Sequence, residues 1–238
     1  MNYKDDKSEM ILLTGCIDPG GMIFTKLQDP VLRKNQYIDA IRFYLKNTEL
    51  PILFVENSGN DVSHEFKNEI NNGRLEILTF NGNNYNKSLG KGFGEMLIIE
   101  RALQKSQLIK KACFIFKITG RYIILNIKEL IQWKRKYRSE IFADINKILP
   151  SDSRFWGAQN SFYTDILLSY KNEIDDSKGM YFEHALFNAI QQATTKGYSH
   201  SVLPVLPRFS GINATDNKAF KSSWFIWSLK NIKHKLGI

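Results

Sequence analysis

The chain has 238 residues, 43% of them hydrophobic, enough to bury one full core, and this excludes a wholly disordered polypeptide. Lys and Arg number 33 against 24 Asp and Glu, a formal charge of +9 that favours phosphate-bearing partners: nucleotides, nucleic acid or an anionic membrane surface. Cys16 and Cys113 are the only cysteines and stand beside apolar residues, which reads as two small core residues in a reducing cytoplasm. No stretch has the ~20 apolar residues of a membrane span and Met1 to Met10 is too charged for a signal peptide, so a cytoplasmic location is expected.

Met10 to Thr14 (MILLT) predicts a short buried strand that ends in a loop with Gly15, Asp18, Gly20 and Gly21. Pro30 to Lys46 follows with Leu32, Tyr37, Ile38, Ile41, Tyr44 and Leu45 at helical spacing. Pro51 to Val55 (PILFV) reads as a second strand leading into Glu56-Asn57-Ser58-Gly59-Asn60, His64 to Ile70 as a short helix, and Leu75 to Phe80 as a third strand. This alternation implies parallel strands with right-handed crossovers.

Gly90-Lys91-Gly92-Phe93-Gly94 then enters a helical segment, Glu95 to Ser106. A glycine loop at a helix start offers backbone N–H groups and a positive dipole end to an anion; the plain alternative is glycines needed only for the turn. No Gly-Lys-Ser/Thr closes the motif, so it is not a P-loop.

Ala112 to Ile118 reads as a central strand running into Thr119-Gly120-Arg121. Two cations, a hydroxyl and a glycine thus stand at a strand end, where open α/β sheets form their binding crevice. Lys117 and Arg121 read as phosphate-holding cations or as partners of a nearby carboxylate.

Further along, Lys128 to Arg138 reads as a basic helix, Ile141 to Ile145 and Phe155 to Gln159 as strands, Asn160 to Tyr170 and Met180 to Ala193 as helices, and Ser201 to Leu206 as a last strand broken by Pro204. The tail sets Phe220, Trp224, Trp227, Leu229 and Ile232 among Lys218, Lys221, Lys230, Lys233 and Lys235. It suits either peripheral attachment to an anionic bilayer or a helix packed on the domain by its tryptophans.

The strings ILLTG, FVENSG, GKGFGE and FKITGRY, in this order, resemble a bacterial nucleotide-sugar-dependent glycosyltransferase of the GT-A-like class, of the kind encoded in capsule and O-antigen loci. The resemblance covers roughly Met10 to Phe209 and implies an α/β fold: a Rossmann-type mixed, mostly parallel sheet flanked by helices in a single domain. It implies a polar lead over 1–9, a catalytic body over 10–217 and a basic aromatic tail over 218–238.

By the same resemblance Thr14, Gly15, Asp18, Glu56, Asn57 and Ser58 line a nucleoside pocket, and Lys91 and Gly92 lie near the diphosphate. Lys117, Thr119, Gly120 and Arg121 occupy the place where many GT-A enzymes carry an Asp-x-Asp metal motif. The carboxylate pairs here, Asp5-Asp6 and Asp175-Asp176, stand elsewhere, so no metal motif is evident and fixed cations are expected to meet the diphosphate. A divalent metal stays open.

Glu183 resembles the acidic residue of the acceptor-side helix and is the candidate base for an inverting transfer; its alternative is a charge favouring the positive end of its helix. His184 could act as base, orient Glu183 or pack partly in the core. Asp152 and Arg154 are candidates for binding the acceptor or the donor sugar. The expected partners are a nucleotide sugar and an oligosaccharide or undecaprenyl-linked acceptor. Two rivals remain: a basic nucleic-acid-binding domain, for which no binding motif is present, and a nucleotidyl-transferring enzyme, for which strand-end carboxylates are not evident.

Overall fold

Strands form where the sequence is most continuously apolar. The computed structural model describes residues 8–22, 25–145, 152–212 and 223–236. Asp5-Asp6, the boundary at 217–218, Lys218, Phe220 and Lys221 lie outside these residues. In chain order the elements are β1 (Glu9–Gly15), α1 (Pro30–Asn47), β2 (Ile52–Glu56), α2 (Lys67–Asn71), β3 (Leu75–Thr79), α3 (Gly90–Lys105), α4 (Gln107–Lys111), β4 (Phe114–Thr119), β5 (Ile123–Ile124), α5 (Ile127–Tyr137), β6 (Ile141–Phe142), β7 (Phe155–Gln159), α6 (Asn160–Asp165), α7 (Phe182–Thr195), β8 (His200–Ser201), β9 (Phe209–Ser210) and α8 (Trp224–Leu236).

Seven strands make one sheet in the order β3-β2-β1-β4-β7-β6-β8. The half β3-β2-β1-β4 is wholly parallel, β7 runs antiparallel to both β4 and β6, and β6 pairs parallel with β8. The α/β fold expected from the sequence is therefore present as a mixed, mostly parallel sheet flanked by helices.

Strand alternation divides the core between the two faces. Ile11, Leu13, Phe114, Phe116 and Ile118 pack with Tyr37, Ile41 and Tyr44 of α1 on one side; Met10, Leu12 and Ile115 pack with Met96 and Ile99 of α3 and Leu186 and Ile190 of α7 on the other. Lys117 shares the second face with Ile115, so an ammonium points into the layer beneath α3 and α7.

The chain moves leftward from β1 to β2 and β3 and then returns to lay β4 on the other side of β1. That reversal puts the switch point between the carboxyl ends of β1 and β4. Gly120 N–H donates to the Thr14 carbonyl at 2.8 Å, and a Cβ on Gly120 would stand 2.8 Å from that same oxygen. Backbone on both sides cannot yield cheaply. Gly120→Ala is expected to cost about 1–3 kcal/mol, read as a lowered unfolding midpoint; an unchanged midpoint would show the contact to be soft.

Several boundaries differ from the sequence reading. The helix after Leu89 starts at Gly90, so GKGFG is its first turn and not a loop before it. Of Ile141 to Ile145 only β6 is strand, and of Ser201 to Leu206 only Ser201, paired within β8. Cys113 is exposed and Cys16 half-buried, so neither is a core residue.

Candidate active site

The carboxyl ends of β1, β2 and β4 open into a cleft of about 640 Å³. Thr14, Gly15 and Cys16 form its floor with Asn57 and Thr119; Arg33 and Tyr37 reach in from α1, Lys91, Gly92, Gly94 and Glu95 from α3, and Glu183 from α7. The sheet thus gathers side chains from widely separated stretches at one rim.

Beneath the cleft runs a polar chain that joins both sides. Lys117, fully buried, pairs with the Glu95 carboxylate, donates to the Ser153 carbonyl at 2.6 Å and lies 5.8 Å from the centre of the Phe182 ring. Glu95 also accepts from the Thr14 hydroxyl at 3.0 Å, and the Ser153 hydroxyl donates to Glu183 at 2.6 Å. A single ammonium therefore braces β1, α3, the turn before β7 and, through Ser153, the first turn of α7. A buried charge so paired is held in place, whereas breaking such a pair leaves its partner uncompensated.

Two guanidiniums stand in the cleft wall on different terms. Arg121, 5% exposed, donates to the Ile212 carbonyl, to the Tyr122 hydroxyl at 2.8 Å and to Gln36 at 3.4 Å. Arg33, 5% exposed, donates to the carbonyls of Cys16, Ile17 and Leu27 and so braces the loop after β1. Among the described residues neither is in a salt bridge. Burial pulls the Arg121 pKa below its usual range, and the Arg33 charge adds to the pull. Burial also lowers Lys91, against the opposing attraction of Asp176 and Glu183. Such a wall gains most from an incoming anion.

Asn57 adds a different signal. It is 1% exposed, it lines the cleft, and its side-chain oxygen has no hydrogen-bond donor among the described residues. A buried acceptor left unpaired costs about 1–3 kcal/mol, which an N–H or O–H of a ligand would recover.

The residues singled out in the sequence divide by where they fall. Thr14, Gly15, Asn57, Lys91, Gly92, Thr119, Arg121, Arg154 and Glu183 line the cleft together; Asp18, Glu56, Ser58, Lys117, Gly120, Asp152 and His184 do not. Glu56 is fully buried and accepts the N–H groups of Ile17 (2.8 Å), Ser58 (2.9 Å) and Asn60 (2.9 Å), locking the loops after β1 and β2 to each other. Ser58 and Asp18 belong to that lock through a 2.9 Å bond from Asp18 N–H to the Ser58 hydroxyl.

Lys117 takes the carboxylate-pairing alternative and Arg121 does not. His184 Nδ1 accepts the Tyr181 N–H at 3.0 Å at the start of α7 and its ring stacks on Tyr181, which makes it a capping residue of that helix. Arg154 is committed to Asp152 through bonds of 2.9 and 2.6 Å and lies over the Phe209 ring.

The glycines of the GKGFG turn are explained by close neighbours. A Cβ at Gly90 would run into the Asp176 carboxyl group, one at Gly94 into the Tyr85 hydroxyl, and one at Gly92 would stand 2.8 Å from Cβ of Phe182. Asp176 also accepts the Lys91 backbone N–H, so a carboxylate of the chain itself occupies the helix start expected to meet an anion. Burial raises its pKa.

Compared by sequence, the chain matches no family model and no curated protein. Compared by structure, it is similar to a candidate nucleotide-diphospho-sugar transferase of Desulfovibrio desulfuricans G20 (10% identity, 83% of this chain and 80% of that one, TM-score 0.45). It is also similar to the inositol-1-phosphate CTP transferase of T. maritima (10% identity, 95% and 98%, TM-score 0.48) and to core-mannan synthase A of Aspergillus fumigatus in its Mn/GDP form (9% identity, 98% and 90%, TM-score 0.40). At these identities and scores the reaction has to be read from the chain's own residues.

A divalent ion needs oxygen ligands, several of them anionic. The end of β4 offers Lys117, Thr119 and Arg121, whose two cations oppose one, so this strand end does not fit a metal. Among the described residues no three His, Cys, Asp or Glu side chains converge as a metal-binding group.

Arg33, Tyr37, Glu95, Ser153 and Asp176 were not assigned to the cleft from the sequence. Arg33 stands four residues before Tyr37 on the buried stripe of α1, and Glu95 falls on the stripe of Ile98, Ile99 and Ala102; a charge inside an apolar stripe was the available signal. Ser153 and Asp176 carry no local signal, because only the fold brings them to the cleft.

Proposed function

We propose that the chain is a glycosyltransferase that moves a sugar from a nucleoside-diphosphate donor to a saccharide or lipid-linked saccharide acceptor, such as an undecaprenyl-linked one, in bacterial surface polysaccharide synthesis. The observation that carries the reading is the pair of buried guanidiniums, Arg33 and Arg121, without carboxylate partners among the described residues, at a switch-point cleft large enough for a nucleotide sugar. A diphosphate supplies the negative charge this wall lacks. Fixed cations aimed at the leaving group stabilise charge where it develops.

In the proposed step the acceptor hydroxyl oxygen attacks the anomeric carbon from the face opposite the diphosphate. The bond from that carbon to the diphosphate oxygen breaks, and its electron pair leaves with the nucleoside diphosphate. Glu183, which lines the cleft and is oriented by Ser153, takes the hydroxyl proton, giving inversion. Lys91 and Arg121 face the departing charge, and the Asn57 oxygen accepts from the nucleoside.

A second reading, nucleotidyl transfer with pyrophosphate as leaving group, is favoured by one observation: Glu95, Asp176 and Glu183 all line the same cleft. Carboxylates together with substrate phosphates are how Mg²⁺ is commonly held.

Arg121→Ala tests the phosphate contact. Losing one charge-assisted contact is expected to weaken nucleoside-diphosphate binding by about 2 kcal/mol, roughly thirtyfold, in titration calorimetry. Arg121→Lys should restore only part of this, because a point charge lacks the guanidinium fork. Equal affinity in the parent and Arg121→Ala would remove Arg121 from the donor site.

A further inference from the structure

The last helix is packed inside out. Trp227, Asn231 and His234, spaced i, i+4 and i+7 on α8, turn toward the body: the Trp227 indole donates to the Leu206 carbonyl at 2.9 Å, the Asn231 side-chain oxygen accepts the Leu206 N–H at 2.9 Å, and the His234 ring meets the Leu203 carbonyl at 2.6 Å. Phe225, Leu229 and Ile232 repeat the same spacing two positions earlier, which on a helix of 3.6 residues per turn places them on the opposite side. They are 66%, 50% and 54% exposed.

An ordinary surface helix buries its apolar stripe and shows its polar one. Here the polar stripe holds the helix down and the apolar stripe faces outward. Singly exposed hydrophobic residues need no explanation, but a helical stripe of them marks a surface that something covers.

We propose that this stripe rests on an anionic membrane surface. The neighbouring charges argue for that occupant over a second copy of the chain. Lys230 and Lys233 are exposed on the flank of the stripe, and the chain as a whole carries +9. Two such faces brought together would set like charges against each other, whereas an anionic headgroup layer neutralises them while the apolar stripe enters the acyl boundary. Trp224, 64% exposed in the first turn of α8, suits the headgroup level, where an amphipathic ring finds both environments. No helix among the described residues is long and apolar enough to cross a membrane, so the contact is one of lying on the surface. The inference is independent of the reaction proposed above.

The test uses the full chain and vesicles of equal parts phosphatidylcholine and phosphatidylglycerol, with phosphatidylcholine alone as comparison. The expected result is co-sedimentation with the anionic vesicles, weakened by salt, and at least about tenfold weaker binding by a Phe225→Ser/Leu229→Ser/Ile232→Ser variant whose unfolding midpoint is unchanged. These side chains are exposed, so the variant is expected to fold; Lys230→Glu/Lys233→Glu, which leaves the apolar stripe intact, should also weaken binding. Equal binding by the parent and both variants, or no binding by the parent, would overturn the proposal. So would sedimentation velocity showing a dimer that the triple variant dissolves, which would assign the stripe to a second copy.

Discussion

Replacing Glu183 by Gln is expected to lower turnover by about 10²–10⁴-fold while donor affinity stays within a few-fold of the parent. The amide keeps the size of the side chain and can still accept the 2.6 Å bond from the Ser153 hydroxyl, so its position is retained. What it loses is the capacity to take a proton from the acceptor. The loss should therefore fall on turnover with little change in nucleotide binding. Near-normal turnover in Glu183→Gln would leave the carboxylate a helix-start charge and would sink its assignment as base.

The second large effect is expected at Lys117. Lys117→Met leaves the Glu95 carboxylate without its buried cation and removes the 2.6 Å bond to the Ser153 carbonyl. Removing one partner of a buried pair costs about 3–5 kcal/mol, which for a chain of this size lowers the unfolding midpoint by roughly 6–20 °C. Adding Glu95→Gln should recover part of that loss, because the uncompensated charge goes with it. A lysine holding phosphate directly would behave in the opposite way, with little cost in stability and a large loss of nucleotide affinity. Thermal unfolding and calorimetry on the same two variants separate these outcomes.

These two residues also show how far the sequence could be read. β1, α1, β2 and β3 were legible because each element signals itself locally: apolar runs of strand length, a helical stripe, and turn residues between them. The placement of the site at strand ends followed from that alternation, and Thr14, Asn57, Lys91, Thr119 and Arg121 meet in one cleft as a result. The insertion of β7 between β4 and β6 was not legible, since pairing across the sheet is long-range and Phe155 to Gln159 looks the same in either direction.

Side-chain roles were harder still. Lys117 and Arg121 have the same chemistry and lie near one strand end, yet Lys117 sits within β4 and enters the layer beneath α3 and α7, while Arg121 lies past the end of the strand and stands in the cleft wall. The partner that decides the matter, Glu95, sits on another element. His184 suggested chemistry by its residue type but serves Tyr181 N–H at a helix start, and Asp176 looked like a loop acid until α3 and the turn before α7 met.

The most direct measurement is of the phosphorus-containing product. The chain would be incubated with a panel of nucleotide sugars and a mixed polysaccharide-precursor acceptor fraction, and separately with nucleoside triphosphates and sugar 1-phosphates, both with and without Mg²⁺ or Mn²⁺, with products separated by anion-exchange chromatography. A cleft that transfers sugar should release nucleoside diphosphate from one of the nucleotide sugars, and Glu183→Gln should slow that release by about 10²–10⁴-fold. Release of pyrophosphate from a triphosphate, with no nucleoside diphosphate formed from any nucleotide sugar, would contradict glycosyl transfer and assign the site to nucleotidyl transfer.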